Sequence, residues 1–405
     1  MADVFLALAR GPHGADKWAV LKRPRDRSDP SMTRMFRDEA RLSMRFNHPN
    51  VVHAYEAVET DGECFLALEY LEGQPLNVLL AALEKRRRRL SSELATFIAA
   101  QALKGLHYAH ELVDWDGARL ELVHRDVSPQ NIFVTYEGRI KVVDFGLAKS
   151  RLIATQTERG VLKGKVRYMS PEQAVGGSLD RRSDVFSLGV VLWEMLAGRA
   201  LLEGPPKSMI TRLTDEDLPS LRSLRVPVRD DLDAAVEKAL RRCPDERFAT
   251  AEAMEGALES CICGRPDASW ERDLGALMDT LFADERVDER AQLLGGASAT
   301  AGEVDSPPFF ARDARRLCDR SRVGATTRHE GGRERRRSRR QWKRMAVVAT
   351  LSAFTGLAAL PWIGCYAEGA PGYTAFGALA RGVSGVFCAR AHSTSVHSVP
   401  RMTSK

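Results

Sequence analysis

The octapeptide His-Arg-Asp-Val-Ser-Pro-Gln-Asn at residues 124–131 is the stretch around which the rest of the chain can be interpreted. Two short apolar runs follow it at residues 132–134 and 140–143, and a Glu-Gly dipeptide at residues 137–138 lies between them. Apolar runs on both sides of such a dipeptide predict a β-hairpin. The second run continues directly into Asp-Phe-Gly at residues 144–146. The predicted hairpin therefore has polar, acidic sequence at both of its outer ends.

The polar groups beside this hairpin are the carboxylates of Asp126 and Asp144 and the side-chain amide of Asn131. An Asp, an Asn and an Asp around one point, without a set of Cys or His ligands, suit Mg²⁺ and phosphate rather than zinc. The sequence therefore predicts a magnesium and phosphate site here.

Three features at fixed spacing make this pattern specific. They are the His-Arg-Asp triplet, an Asn five residues after Asp126, and Asp-Phe-Gly thirteen residues after Asn131. On these residues the chain resembles the protein-kinase superfamily in its bacterial, eukaryotic-like (Hanks-type) Ser/Thr form. The resemblance covers roughly residues 1–263 and implies a two-lobed α+β fold. A small antiparallel sheet with one helix is expected to sit on a larger, mainly helical lobe, with ATP in the cleft.

The resemblance also implies transfer of the ATP γ-phosphoryl group to hydroxyls of protein substrates, with Mg²⁺ as the metal. Asp126 is expected to accept the hydroxyl proton, and Asn131 and Asp144 to ligate Mg²⁺. Lys22, in the Ala-Val-Leu-Lys run, is expected to anchor the α and β phosphates. Glu39, on a predicted helix from residue 31 to 46, is expected to pair with Lys22.

The same resemblance places a hinge between the lobes at residues 68–71, where backbone groups would bind adenine. Leu68 falls at the gatekeeper position of this hinge. The residues expected to contact the nucleotide base are Val4, Val20, Leu68, Glu69, Leu71 and Phe133.

Other matches have structural or regulatory roles in the family. Asp184 matches the Asp that braces the catalytic loop, and Glu172 is expected to pair with Arg247. Arg125 precedes the expected catalytic Asp. In this feature the chain resembles kinases that are switched by phosphorylation of the activation segment. The polar residues 147–162 would form that segment, with threonines at positions 155 and 157 as acceptors.

Two positions depart from the family pattern. Ser128 stands where Ser/Thr members have Lys, and Lys165 stands where they have Thr. One hypothesis is that the two residue types are exchanged, so that Lys165 supplies the cation from the opposite wall of the site. The alternative is that Lys165 points to solvent and the γ-phosphate lacks this cation. The two departures also raise a second function class, a membrane-tethered pseudokinase or scaffold with weak or no transfer activity.

The chain begins inside the expected glycine-rich loop, because Val4 matches the last Val of that loop and its first two glycines would precede Met1. A start assigned too late, an artificial boundary and a real loss are three possible explanations, and we favour the first. Without its first strand, the small lobe is expected to expose a sheet edge.

The remaining chain is expected to hold four further segments. Residues 264–294 form an amphipathic helical extension, which either docks on the large lobe or mediates self-association through residues 269–294. Residues 295–344 form a disordered basic linker. The uncharged residues 345–367 are long enough for a single transmembrane helix, and residues 368–405 form a short extracytoplasmic tail. The basic run before residue 345 predicts a single-pass cell-membrane protein with its kinase domain in the cytoplasm.

The composition argues against a nucleic-acid-binding protein, a disulfide framework and a zinc site. The formal net charge of +6 over 405 residues comes largely from one local basic run at residues 333–344. We therefore do not expect a nucleic-acid partner. Seven cysteines without a Cys-x-x-Cys pair are typical of a reduced cytosolic domain rather than a disulfide framework or a zinc site.

Overall fold

A computed structural model describes residues 2–9, 16–25, 30–60, 63–145, 166–298 and 346–350 of the chain. The predicted activation segment, including both acceptor threonines, and Lys165 lie outside these residues. The chain divides into two compact units, residues 1–354 and 355–405, and the second lies wholly outside the described residues.

The small lobe is a five-stranded sheet with one helix. Its elements are β1 (Ala2–Ala9), β2 (Lys17–Pro24), α1 (Pro30–Ser43), β3 (Ala54–Thr60), β4 (Glu63–Glu69) and β8 (Ala346–Thr350). The strand order in the sheet is β3-β4-β2-β1-β8. The four strands from the N-terminal region pair antiparallel. Phe36 and Ala40 of α1 are buried against Leu66 and Leu68 of β4, so the helix covers one face of the sheet. This is the small antiparallel lobe that the sequence predicts.

The strand β8 differs from the sequence prediction. Residues 346–350 were expected to begin a membrane-spanning helix, but they pair parallel with β1, with Leu6 opposite Ala346 and Leu8 opposite Thr350. Unpaired groups at the edge of β1 accept such a strand, and Val-rich sequence favours it. The rest of the predicted span, residues 345 and 351–367, lies outside the described residues. No helix in the part of the chain that the structure describes is long and apolar enough to cross a membrane.

The large lobe is mainly helical. Its elements are β5 (Gly73–Pro75), α2 (Leu76–Lys85), α3 (Ser92–His110), β6 (Ile132–Thr135), β7 (Ile140–Val142), α4 (Pro171–Ala174), α5 (Arg181–Ala197), α6 (Pro206–Asp215), α7 (Asp230–Ala239), α8 (Ala251–Cys261) and α9 (Asp267–Ser298). The apolar periodicity of residues 74–83 predicts a helix that begins at residue 74. Residues 74 and 75 belong to β5 instead, because Gly73–Pro75 pairs with the catalytic hairpin in the sheet order β5-β6-β7.

The helix α5 forms the centre of the large lobe. It is buried nearly all round, as its continuous apolar sequence predicts. The Asp180 side chain caps its first turn, and Gly198 ends it in the left-handed conformation with φ 65°.

The extension beyond residue 263 forms α9, which has a kink at Phe282 and continues to Ser298, four residues into the predicted linker. The apolar residues Trp270, Leu274, Met278, Leu281 and Phe282 are buried in the core of the large lobe. The apolar stripe therefore docks on the large lobe, which is one of the two alternatives that the sequence leaves open.

A carboxylate cluster joins α3, α8 and α9. Lys104 Nζ lies 3.7 Å from Glu255, 2.9 Å from Glu259 and 3.1 Å from Asp267. Burial, together with the hydrogen bond and charge of Glu259, raises the pKa of Glu255 to about 7, against the opposing charge of Lys104. The exposed Glu252 adds a smaller contribution in the same direction.

This raised pKa predicts a stability that falls with pH. The folded chain holds the Glu255 proton more tightly than the unfolded chain, so unfolding becomes easier as pH rises from about 4.5 to about 7. The loss is on the order of 1–3 kcal/mol. Glu255→Gln is expected to raise the melting temperature at pH 8 and to change it little at pH 4.5. Glu237→Gln, at an exposed position, serves as the control. If the melting temperature of Glu255→Gln falls with pH as steeply as that of the parent chain, the raised pKa does not belong to Glu255.

Candidate active site

Lys22 links the two lobes through two carboxylates. Its Nζ lies 2.6 Å from Glu39 Oε1 of α1 and 2.9 Å from Asp144 Oδ1, just after β7. Burial alone would lower the pKa of Lys22, but the charges of Asp144 and Glu39 outweigh it and raise this pKa above its usual value. The ammonium therefore stays charged. The pairing of Lys22 with Glu39, predicted from the family resemblance, is present.

The catalytic loop brings Asp126 and Asn131 together. Asn131 Nδ2 donates to the backbone oxygen of Asp126 at 2.7 Å and to its Oδ2 at 3.1 Å. The backbone N–H of Asn131 donates to the backbone oxygen of Ser128 at 2.9 Å. The backbone N–H of Val143 donates to the backbone oxygen of Asn131 at the same distance. This loop therefore holds the candidate base and a candidate metal ligand next to each other.

Asp184 fixes the loop from below. It is fully buried, and its carboxylate accepts hydrogen bonds from the amides of His124 at 2.7 Å and Arg125 at 2.9 Å. His110 Nε2 lies 2.8 Å from Asp184 Oδ2. Burial alone would raise the pKa of Asp184, but the His110 hydrogen bond and nearby positive charge outweigh it and lower this pKa. The carboxylate therefore stays ionised, in the bracing role that the sequence predicts.

Phe145 sets the direction of Asp144. Its buried ring lies 4.6 Å, centroid to centroid, from each of the Phe46 and His124 rings. Asp144 has φ 56°, a left-handed conformation that non-glycine residues rarely adopt. Because Phe145 turns into the core, the neighbouring Asp144 side chain is directed to Lys22 in the cleft.

The predicted pair of Glu172 and Arg247 is also present. The Arg247 guanidinium donates to both Glu172 oxygens, at 2.7 and 2.8 Å, and Ser183 Oγ donates to Glu172 Oε1 at 2.6 Å. The Gln173 side chain donates to the Arg125 backbone oxygen at 3.0 Å. The segment after residue 165 is thereby attached to the catalytic loop.

The expected adenine contacts lie on β1, β2, β4 and β6, except for Leu71, which follows β4. Val20 and Leu71 pack against the cluster that contains buried Leu68, and Phe133 is partly buried. Val4 is 56% exposed and lies opposite Lys22 in the β1–β2 register. Glu69 is held in place by its neighbours, because its amide donates to the His53 oxygen and its carboxylate accepts from Lys141 Nζ at 2.5 Å.

Two site residues escaped the sequence analysis. Lys141 connects the hairpin to the hinge residue Glu69. Asn50 donates through Nδ2 to Gln101 Oε1 and to the Ile140 oxygen, and its own oxygen accepts from Val142 N. The Asn-His-Pro-Asn run at residues 47–50 signalled only the end of a helix, although its last residue supports the catalytic hairpin.

The donor set fits Mg²⁺ with phosphate. Asn131 uses its Nδ2 to contact Asp126, and this orientation leaves its side-chain oxygen for a cation. Asp144 supplies a carboxylate. The described residues hold no cluster of three or more Cys, His, Asp or Glu that would form a metal site by themselves. Such a sparse oxygen set is typical of Mg²⁺ that binds together with a nucleotide.

Comparison with known proteins identifies the family. The protein kinase domain model matches residues 3–258, and the chain therefore belongs to the protein kinase family. Its relatives include bacterial enzymes of the Hanks type, and protein kinases of this family use ATP and Mg²⁺. The described residues form the two-lobed fold of that family.

The chain is similar to several named bacterial kinases. It is 38% identical to Tyrosine-protein kinase MasK of Myxococcus xanthus over 306 residues, which cover 74% of this chain and 47% of that protein. It is 32% identical to Serine/threonine-protein kinase PrkC of Bacillus subtilis, covering 58% and 35%. It is 34% identical to Serine/threonine-protein kinase PknB of Mycobacterium tuberculosis, covering 66% and 42%. The chain thus spans about half or less of the length of these relatives.

Among solved structures, the Mycobacterium tuberculosis PknI kinase domain aligns over 64% of this chain and 91% of that chain. For the double-mutant form of that domain, the TM-score is 0.48 and the sequence identity is 25%.

Proposed function

We propose that the chain is an ATP-dependent protein kinase of bacterial signalling that transfers the γ-phosphoryl group to Ser or Thr hydroxyls of protein substrates. The observation that carries this proposal is the arrangement of Lys22 between Glu39 and Asp144, with Asp126 bonded to Asn131 in the adjacent loop. A buried lysine that is held charged by two carboxylates is suited to bind phosphate.

In this mechanism the substrate hydroxyl oxygen attacks the γ-phosphorus, and the bond from that phosphorus to the ADP oxygen breaks. Asp126 orients the hydroxyl and accepts its proton, while Lys22 anchors the α and β phosphates and Glu39 holds Lys22 in place. Asn131 and Asp144 would ligate Mg²⁺, which neutralises phosphate charge when it is bound. The adenine contacts of β1, β2 and the hinge position the nucleotide.

The pseudokinase alternative lacks a supporting observation in the described residues. Lys22, Glu39 and Asp144 form their ion pairs, and Asp126 lies beside Asn131. The alternative rests on two departures from the family sequence pattern, at Ser128 and at Lys165.

Replacement of the candidate base separates these alternatives. Asp126→Asn removes the proton acceptor, so we expect transfer from labelled ATP to fall by about 10²-fold or more, with little change in ATP affinity or melting temperature. Asp284→Asn on the exposed face of α9 is the control. A parent chain that binds ATP and transfers no phosphate would favour the pseudokinase.

The acceptor hydroxyl needs its own test, because one relative is named a tyrosine kinase and others are named Ser/Thr kinases. We propose Ser and Thr as acceptors, with autophosphorylation at Thr155 and Thr157 and recognition of the new phosphates by Arg125. Phosphoamino acid analysis of the products, combined with mass spectrometry, decides between the classes. Phosphotyrosine as the main product would overturn the Ser/Thr assignment.

If Ser128 and Lys165 have exchanged roles, substitutions at the two positions are expected to have non-additive effects on the rate of transfer. If Lys165 supplies the cation for the γ-phosphate, Lys165→Thr is expected to lower the rate by about 10²-fold, as losses of preorganised charge do. Adding Ser128→Lys should restore much of that activity, because residues that share one site are non-additive. Lys163→Thr is the matched control. A harmless Lys165→Thr, or a double variant equal to the sum of two losses, would remove the exchange from the mechanism.

We also propose a single-pass membrane location with the kinase domain in the cytoplasm. The uncharged run at residues 345–367 and the basic run before it support this location. The strand β8 uses five of these residues, so the strand and a membrane-spanning helix exclude each other.

Cell fractionation decides the location. The full chain is expected in the membrane fraction and a chain that ends at Gln341 in the soluble fraction, because the second lacks the apolar run. A full chain that is soluble without detergent would contradict the proposal.

Self-association through residues 269–294 would need the exposed side of α9, since its apolar stripe is buried. Sedimentation of the chain that ends at Gln341 tests whether this self-association occurs.

A further inference from the structure

A carboxylate from outside the matched kinase domain closes a cluster beneath the catalytic hairpin. Glu289 lies on α9, past the kink and beyond residue 258. Its Oε2 accepts from the Tyr136 hydroxyl at 3.0 Å, and its Oε1 accepts from Gln74 Nε2 at 3.4 Å. Gln74 Nε2 also donates to the Tyr136 hydroxyl at 2.9 Å. The three side chains therefore form a closed set of hydrogen bonds.

The two partners of Glu289 belong to neighbouring strands of the sheet that supports the site. Gln74 lies on β5, opposite Val134 of β6, and Tyr136 follows β6 directly. β6 begins immediately after Asn131, and β7 runs back to Asp144. Glu289 thus joins the strand after the hinge to the hairpin that carries both candidate metal ligands.

Two members of the cluster are shielded from solvent, and Glu289 is partly exposed. Gln74 is 8% exposed and Tyr136 is 2% exposed. Burial, together with the charge of Glu289, raises the pKa of Tyr136 against the opposing effect of Gln74. The hydroxyl stays protonated and keeps its role as donor.

The turn of the hairpin is held by the same helix. Arg286 Nη2 donates to Glu137 Oε1 at 3.2 Å, and its guanidinium lies 5.1 Å from the centre of the Tyr136 ring. Gly138 has φ 82°, and a Cβ at this position would lie 2.0 Å from the Glu271 backbone oxygen. The backbone of α9 therefore touches the turn, so that the turn has little freedom to move.

We propose that Glu289 is a positioning residue for phosphoryl transfer. It fixes β6 against β5 and thereby holds Asn131 and Asp144 in register with the nucleotide. The inference rests on the proposed function, because it assigns Glu289 a part in that reaction. Hydrogen-bonded strands transmit small displacements along their length, and a misplacement of about 1 Å at a reacting centre costs up to about 10²-fold in rate.

The match to MasK extends into this region. That match covers 74% of the chain, which is more than residues 3–258. Since only two residues precede residue 3, the similarity continues beyond residue 258 into the extension.

The experiment compares Glu289→Ala, Tyr136→Phe and their double variant in the full chain. Each single variant breaks the same cluster, so we expect kcat to fall about tenfold in all three, with the KM for ATP changed less than about threefold. Glu289→Gln keeps an oxygen acceptor and is expected to restore most of the activity. The exposed neighbour Asp288→Ala is the matched control. Melting temperatures ensure that every variant is assayed while folded.

A purely stabilising role would lower the melting temperature and leave kcat within twofold of the parent, and that result would overturn the proposal. Additive losses in the double variant, or an equal loss in Asp288→Ala, would also overturn it. Amide hydrogen exchange over residues 132–143 provides a readout that does not need activity. Faster exchange in Glu289→Ala and Tyr136→Phe is expected. Unchanged exchange would overturn the coupling even if the parent chain proved inactive, which would itself count against the proposed function.

Discussion

The buried carboxylate of Asp184 is the interaction on which the catalytic loop depends. An ionised group without solvent costs several kcal/mol unless its oxygens are fully paired. Asp184 therefore needs the amides of His124 and Arg125 as well as the His110 ring. Those amides point to the carboxylate only because the backbone bends sharply, with Arg125 at φ 64°. The position of the next residue, the candidate base Asp126, follows from this constraint.

The stability of that carboxylate depends in turn on α5. Asp184 lies in the first turn of this helix, where the helix dipole favours a negative charge. Because α5 is buried nearly all round, Asp184 cannot move toward solvent, and the catalytic loop inherits the rigidity of the core. The hairpin extends this fixed geometry to Asp144, and the Lys22 ion pairs carry it to α1 of the small lobe.

The sequence was sufficient for features whose determinants are local. The apolar stripe of residues 92–110 predicts a helix with the bounds that α3 has in the structure, where the Ser91 side chain caps its first turn. The site residues Lys22, Glu39, Asp126, Asn131 and Asp144 came from the family resemblance rather than from local periodicity. The structure brings Lys22 together with Glu39 and Asp144, and Asp126 together with Asn131, while their catalytic and metal-binding roles stay predictions.

Features with distant partners could not be predicted. The three residues of β5 become a strand only by pairing with β6, about sixty residues later. Lys141 and Asn50 gain their roles from neighbours on other elements. In each case the local pattern allowed more than one structure, and a long-range contact decided between them.

The same limit applies to α9, whose stripe predicted that one face would be buried but not what would cover it. Burial of a large apolar side chain contributes about 1.5–3 kcal/mol. The five buried residues of the stripe together contribute on the order of 10 kcal/mol of burial energy, before the entropy cost of ordering the helix is subtracted. The large lobe therefore includes α9 energetically, even though the family match ends at residue 258. A helix that contributes this much to folding and also contacts the turn of the catalytic hairpin links the extension directly to the active site.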